Sequence, residues 1–146
     1  MQAITCFIVS LSVLIILANP NITLEPIFII GAVIAVFGLM LETIADNQKY
    51  TFKNSNPDKF MQTGVWSIIR HPNYTGEIVF WIGLSISALC SPYGYIGIVS
   101  PLWIAFILIR FSGIPLLRDK WEERYGDLPE FQAYKKKSWY LFPYIY

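Results

Sequence analysis

The chain has 146 residues, of which 55% are hydrophobic and 14% charged, with a formal net charge of +1. Soluble domains carry about 25% charged residues, so this composition, with a mean hydropathy of +0.48, excludes an ordinary soluble globule. It points to an all-α polytopic membrane protein, and no nucleic-acid partner is expected.

Four apolar stretches, at about 3–18, 27–43, 76–91 and 95–110, organise the sequence as a single membrane domain over 1–146. Each is 16 or 17 residues, near the short end of what spans a hydrocarbon core of about 30 Å. A bundle in water needs polar helix faces, and these stretches have almost none. The first stretch lacks the basic start of a signal peptide, and Asn19-Pro20 is no small-residue cleavage site, so 3–18 is predicted to stay as a helix. The sequon Asn21-Ile22-Thr23 follows so closely that it carries little weight.

The second stretch ends in Glu42, Thr43, Ile44, Ala45 and Asp46. If the helix runs past the membrane surface, Glu42, Asp46, Lys49, Tyr50 and Lys53 recur at three- and four-residue spacing and share a face. The third stretch opens with Arg70-His71-Pro72-Asn73-Tyr74-Thr75-Gly76-Glu77. Pro72 suits a first helical turn, and Asn73, Glu77 and Trp81 then share a face. The free N–H groups of that turn, with Arg70 and His71 just ahead, make an anion site. Glu77 lies one turn deeper, where a carboxylate needs a polar partner or ligand.

After the fourth stretch, Ser112-Gly113-Ile114-Pro115 reads as a break at the surface. Arg118, Trp121, Glu122 and Tyr125 fall on one face of a short helix, with Gly126 as its cap. That helix would lie on the lipid or cover a site between the second and third spans. The tail closes on the aromatic run Leu141-Phe142-Pro143-Tyr144-Ile145-Tyr146.

All eleven Lys and Arg lie either between 49 and 70 or between 110 and 137, while the connections 19–26 and 92–94 have none. With four spans, both basic blocks share a side with both termini. The positive-inside rule makes that side cytoplasmic, in a bacterial inner membrane or the endoplasmic reticulum. Cys6 and Cys90 form no CxxC pair and His71 is the single histidine, so no metal site is expected. No GxGxxG or GxxxxGK[ST] motif is present, so a nucleotide would not bind by a Rossmann or P-loop solution.

The run from Arg70 to Glu77, preceded by Thr63-Gly64-Val65-Trp66, resembles a signature of the steroid 5-alpha-reductase and sterol reductase superfamily, especially its bacterial-type members catalogued as a domain of unknown function. Glu42 to Asp46, Ser112 to Leu117 and the closing Phe142-Pro143-Tyr144-Ile145-Tyr146 are similar too. The resemblance implies an NADPH-dependent oxidoreductase that reduces a carbon–carbon double bond of a steroid-like or other lipid. It implies cofactor contacts at Asp46, Asn73 and Glu77, with Tyr74 in the same motif and Tyr125 matching a further cofactor tyrosine. Lys53 and Arg70 are candidates for the extra phosphate, with His71 beside Arg70. No catalytic proton donor is identified. A homo-oligomer remains open.

Two departures stand out. Family members carry additional N-terminal helices, and the acidic, histidine-rich run after the last helix is replaced by Ser112 to Leu117. Two other readings follow. One is an S-adenosylmethionine-dependent membrane methyltransferase of the isoprenylcysteine carboxyl or phospholipid type, with Glu122-Glu123 as its acidic pair. The other is a non-catalytic short homologue or fragment.

Overall fold

The computed structural model describes residues 2–19, 24–111 and 113–143. The sequon threonine and asparagine, Ser112 and the final Tyr144-Ile145-Tyr146 lie outside these residues. The described part is helical: α1 (Gln2–Val9), α2 (Leu11–Ala18), α3 (Pro26–Ser55), α4 (Pro72–Ala88), α5 (Val99–Phe106), α6 (Ile114–Tyr125) and α7 (Pro129–Lys137). Short 3₁₀ turns occupy Gly64–Ser67 and Gly94–Ile98, and a π-helical turn, Ile107–Phe111, extends α5.

Two helical runs, Pro26–Ser55 and Gly94–Tyr125, are long and apolar enough to cross a membrane. The protein buries only 17% of the most apolar window in the first and 35% in the second. A core helix in water would be mostly covered. Here Ile30, Val33, Phe37 and Met40 of α3, with Leu102 and Phe106 of α5, point outward. Their surroundings must be apolar, and the chain is a membrane protein.

In such a medium helices gain nothing from hiding apolar surface against each other, so close backbone packing must hold them. The antiparallel pair α3 and α4 packs in this way. A Cβ on Gly38 would lie 2.7 Å from the Gly76 carbonyl oxygen, and one on Gly83 would lie 2.6 Å from that of Gly31. A Cβ on Gly76 would sit 2.6 Å from the Glu42 nitrogen. Hydroxyls tie the helices further: Ser87 donates to the Phe28 carbonyl at 3.0 Å and Ser85 to that of Gly97 at 2.7 Å.

Several boundaries differ from the sequence expectation. The helix predicted at 3–18 is broken at Ser10, because a hydroxyl from a distant helix enters its ladder. Ser100 Oγ accepts the Ser12 N–H at 3.1 Å and donates to the Ile8 carbonyl at 3.3 Å, replacing that rung. α3 continues twelve residues beyond 43, while α4 has Pro72 in its first turn as expected, ahead of the apolar stretch that begins at 76. The stretch 95–110 begins as a 3₁₀ turn and ends as a π turn. The tail holds a second helix, α7, that no local pattern announced. Gly126 follows α6 in the right-handed conformation, its N–H bonded to the Glu122 carbonyl.

Gly38→Ala is expected to destabilise the protein in detergent by about 1–3 kcal/mol, because the new methyl meets backbone that cannot yield. Leu39→Ala, at an outward position that is 50% exposed, should change stability by no more than about 0.5 kcal/mol. Comparing the two melting temperatures tests the seam.

Candidate functional site

The contact seam of α3 runs through Gly31, Ala35, Gly38, Glu42, Ala45 and Lys49, at alternating four- and three-residue steps. It passes from glycine and alanine to charged residues where α3 leaves the apolar zone. Glu42, Asp46 and Glu77 stand close enough to feel one another's charge, with Tyr74 beside Glu77 and Asp46. Lys49 lies near Asp46 and places its ammonium 5.2 Å from the Trp66 ring. Asn73, half-buried in the first turn of α4, has a sealed amide oxygen with no hydrogen-bond partner among the described residues. Four expected residues, Asp46, Asn73, Tyr74 and Glu77, therefore gather at one place.

The tail closes over the start of α4 by backbone pairing. The Arg70 N–H donates to the Trp139 carbonyl at 2.8 Å, and the Trp139 N–H to that of Ile68 at 2.9 Å. Thr75 Oγ1 donates to the Leu141 carbonyl at 2.6 Å, and the Tyr134 hydroxyl to that of Trp66 at 2.6 Å. Burial pushes that phenol up to about 12.

His71 is fixed in the resulting joint. Its ring stacks on Tyr74 at 5.5 Å and 9° and on Trp121 at 5.6 Å and 21°, and meets the edge of Tyr140 at 5.4 Å. Burial lowers the imidazole to about 4, and the charges of Arg70 and Lys49 add to the effect. The ring is neutral at pH 7. Beside it lies a cavity of about 230 Å³ lined by Arg70, His71, Arg118, Trp121, Glu122, Phe131, Lys135 and Tyr140. The Arg70 guanidinium sits 4.4 Å from the Tyr140 ring, and Lys135 pairs with Glu122.

The remaining two expected residues meet elsewhere. Lys53 Nζ donates to the Lys59 carbonyl at 2.5 Å and to the Tyr125 hydroxyl at 3.2 Å. Tyr125 packs with Phe60, Phe131 and Tyr134 in a buried aromatic cluster. Here Lys53 fastens the loop after α3 to α6. Arg118, Lys135 and Tyr140 were not foreseen as site residues. The helical face carrying Arg118 and Trp121 was readable, whereas Lys135 and Tyr140 reach the cavity only through folding of the tail.

A family model described as "Protein of unknown function (DUF1295)" matches residues 1–138. The chain is 25% identical over 142 residues to the Delta(14)-sterol reductase of Arabidopsis thaliana, covering 83% of this chain and 35% of that protein. It is also 25% identical over 161 residues to a Delta(14)-sterol reductase of Mus musculus, covering 96% and 36%. The chain thus spans about a third of the length of these curated relatives. No solved structure matches.

Folded, His71 takes a proton only below about 4, and unfolded it does so below 6.5. The unfolded chain therefore binds more protons between these values. Stability is whole above pH 6.5 and declines as the pH falls towards 4, by on the order of 3 kcal/mol at the acid end. His71→Phe keeps a ring in the stack and removes the titration, so unfolding followed from pH 7 to 4 should lose this part of its slope.

Proposed function

The chain belongs to the DUF1295 family, and with it to the steroid 5-alpha-reductase and sterol reductase superfamily; from that premise we propose that it is an NADPH-dependent membrane oxidoreductase acting on a carbon–carbon double bond of a sterol-like or other lipid. The observation that carries the reading is the pairing of two unlike half-sites across His71. On one side are the Asn73 oxygen and the carboxylates of Asp46 and Glu77, which accept N–H and O–H donors. On the other is the aromatic cavity with Arg70, Arg118 and Lys135.

NADPH has the matching chemistry. Its carboxamide and ribose hydroxyls are donors, its bases are planar, and its phosphates prefer guanidinium and ammonium groups. Asn73, Tyr74, Glu77 and Asp46 would hold the amide and ribose end, while Trp121 and Tyr140 would flank a base. Arg70, Arg118 and Lys135 would take phosphate. Lys53 is committed to loop carbonyls and to Tyr125, so the extra phosphate falls to Arg118 and Lys135 with Arg70. At about 230 Å³ the cavity is smaller than the roughly 300–1,000 Å³ of whole-ligand pockets, so it accepts one end of the dinucleotide. When bound, NADPH supplies the hydride; the residues of the chain bind it, orient it and keep water away.

For the topology we propose four spans, formed by α1 with α2, the first part of α3, α4, and α5 with its π turn. The basic segments and both termini are then cytoplasmic, and a lipid substrate reaches the site sideways from the bilayer. Both curated relatives reported above are reductases by name, which favours this reading over the methyltransferase.

In detergent, NADPH is expected to raise the melting temperature and S-adenosylmethionine to leave it unchanged. At a hundredfold excess over Kd the added stability is about 2.7 kcal/mol. Glu77→Ala should abolish the NADPH shift while the protein still inserts; an unaltered affinity would remove Glu77 from the site. A shift with S-adenosylmethionine alone would transfer the case to the methyltransferase, and no shift with either ligand to a non-catalytic homologue.

Arg118→Gln should leave NADH binding unchanged and weaken NADPH about tenfold or more, the loss expected for one charge-assisted hydrogen bond. Equal weakening of both cofactors would place Arg118 away from the extra phosphate.

A further inference from the structure

On the face of α5 turned away from the bundle, a second groove of about 450 Å³ is lined by Leu102, Ala105, Phe106, Ile109 and Arg110. The spacing of three, one, three and one residues puts all five on one helical face. Leu102 is 65% exposed and Phe106 53% exposed, so no other part of the described chain covers the groove. Arg110 stands at its polar end, exposed, and takes part in none of the three ion pairs among the described residues, which use Arg118, Arg124 and Lys135.

The backbone under Arg110 is the π turn Ile107–Phe111. Such turns are rare and often mark functional positions. A π turn advances each residue through a smaller angle than an α turn. Over these residues the wider winding offsets the drift of about 40° that each four-residue step makes in an α-helix, and so brings Arg110 closer in line with Leu102 and Phe106.

We propose that this groove is a binding site for one acidic phospholipid, with an acyl chain along Leu102, Ala105 and Phe106 and the phosphate against Arg110. The chemistry selects that occupant. Hydrocarbon matches the groove, and an anionic oxygen group at the end of the same molecule matches the lone guanidinium. A second copy of the chain is a poorer fit. Its acids nearest the apolar boundary are Glu42 and Glu77, both half-buried, and the exposed Asp46, which already lies beside Lys49; Glu25 lies at the opposite end of α3. The inference rests on the membrane placement of the chain and not on the cofactor.

Native mass spectrometry of the full chain, released from detergent with added phosphatidylglycerol or phosphatidylcholine, tests it. The wild type should retain one phosphatidylglycerol per chain under conditions that strip phosphatidylcholine. Arg110→Gln should reduce that retention about tenfold, as for loss of one charge-assisted contact, and Arg110→Lys should restore part of it. Ala105→Trp, which fills the groove and keeps the charge, should also release the lipid. Because Arg110 lies at the surface, melting temperatures near that of the wild type are expected for its two variants; Ala105 is half-buried against the cluster of Ile104 and Leu108, so Ala105→Trp is expected to melt lower. Equal retention of both lipids, or retention unchanged in Arg110→Gln, would overturn the site. Displacement by inorganic phosphate as readily as by lipid would reduce it to an anion contact without an acyl groove, and a dimer mass lost in Ala105→Trp would assign the face to a second copy.

Discussion

The polar end of the molecule depends on the backbone contact between α3 and α4. Gly38 against Gly76, and Gly31 against Gly83, bring the two helices too close for any side chain to intervene. In an apolar medium that approach is what dispersion and weak backbone contacts require. It also fixes register. Once Gly76 lies on the Glu42 backbone, Glu42 and Asp46 have no freedom in where they face the first turn of α4. A glycine seam and a cluster of carboxylates are thus one feature seen at two depths.

α3 is 30 residues long, or about 45 Å, which exceeds a hydrocarbon core of about 30 Å. The surplus does not fray, because other segments satisfy it. The Trp66 indole donates to the Ala45 carbonyl at 3.0 Å, the Val65 N–H to Gln48 Oε1 at 3.0 Å, and Lys53 binds the loop that follows. This loop then offers Phe60 to Tyr125, Phe131 and Tyr134, and so seats the tail. The order of dependence runs from seam to helix extension to loop to tail.

The sequence displayed the parts of this arrangement that are local. The apolar character of α3 and of the run from Gly94, Pro72 at the first turn of α4 and the face shared by Arg118, Trp121 and Tyr125 were readable from spacing. That Asp46, Asn73, Tyr74 and Glu77 belong together was implied by the family resemblance; spacing showed only that both runs lie at helix ends. Distant contacts were not readable. The break at Ser10 is made by Ser100, 88 residues away from Ser12. Lys53 reads as a free cation until the loop carbonyl of Lys59 turns back onto it. Lys135 and Tyr140 belong to a basic run and an aromatic run of ordinary appearance, and only the pairing of Trp139 with Ile68 and Arg70 brings them beside His71.

His71 stands between two groups of unlike charge. Three carboxylates lie on one side of it, and Arg70, Arg118 and Lys135 lie on the other with Glu122. A protonated imidazole would add charge between them, inside a largely apolar wall of Tyr74, Trp121 and Tyr140. The neutral ring instead serves as a flat spacer, joining α4 to the tail by stacking alone. Opposite charges left unscreened at this separation would collapse into ion pairs if the side chains could reach, and the aromatic wall prevents it. The same wall depends on the tail: without Trp121 and Tyr140 in place, His71 would be more open to water, its proton affinity would return towards the ordinary value, and the division of charge would be lost.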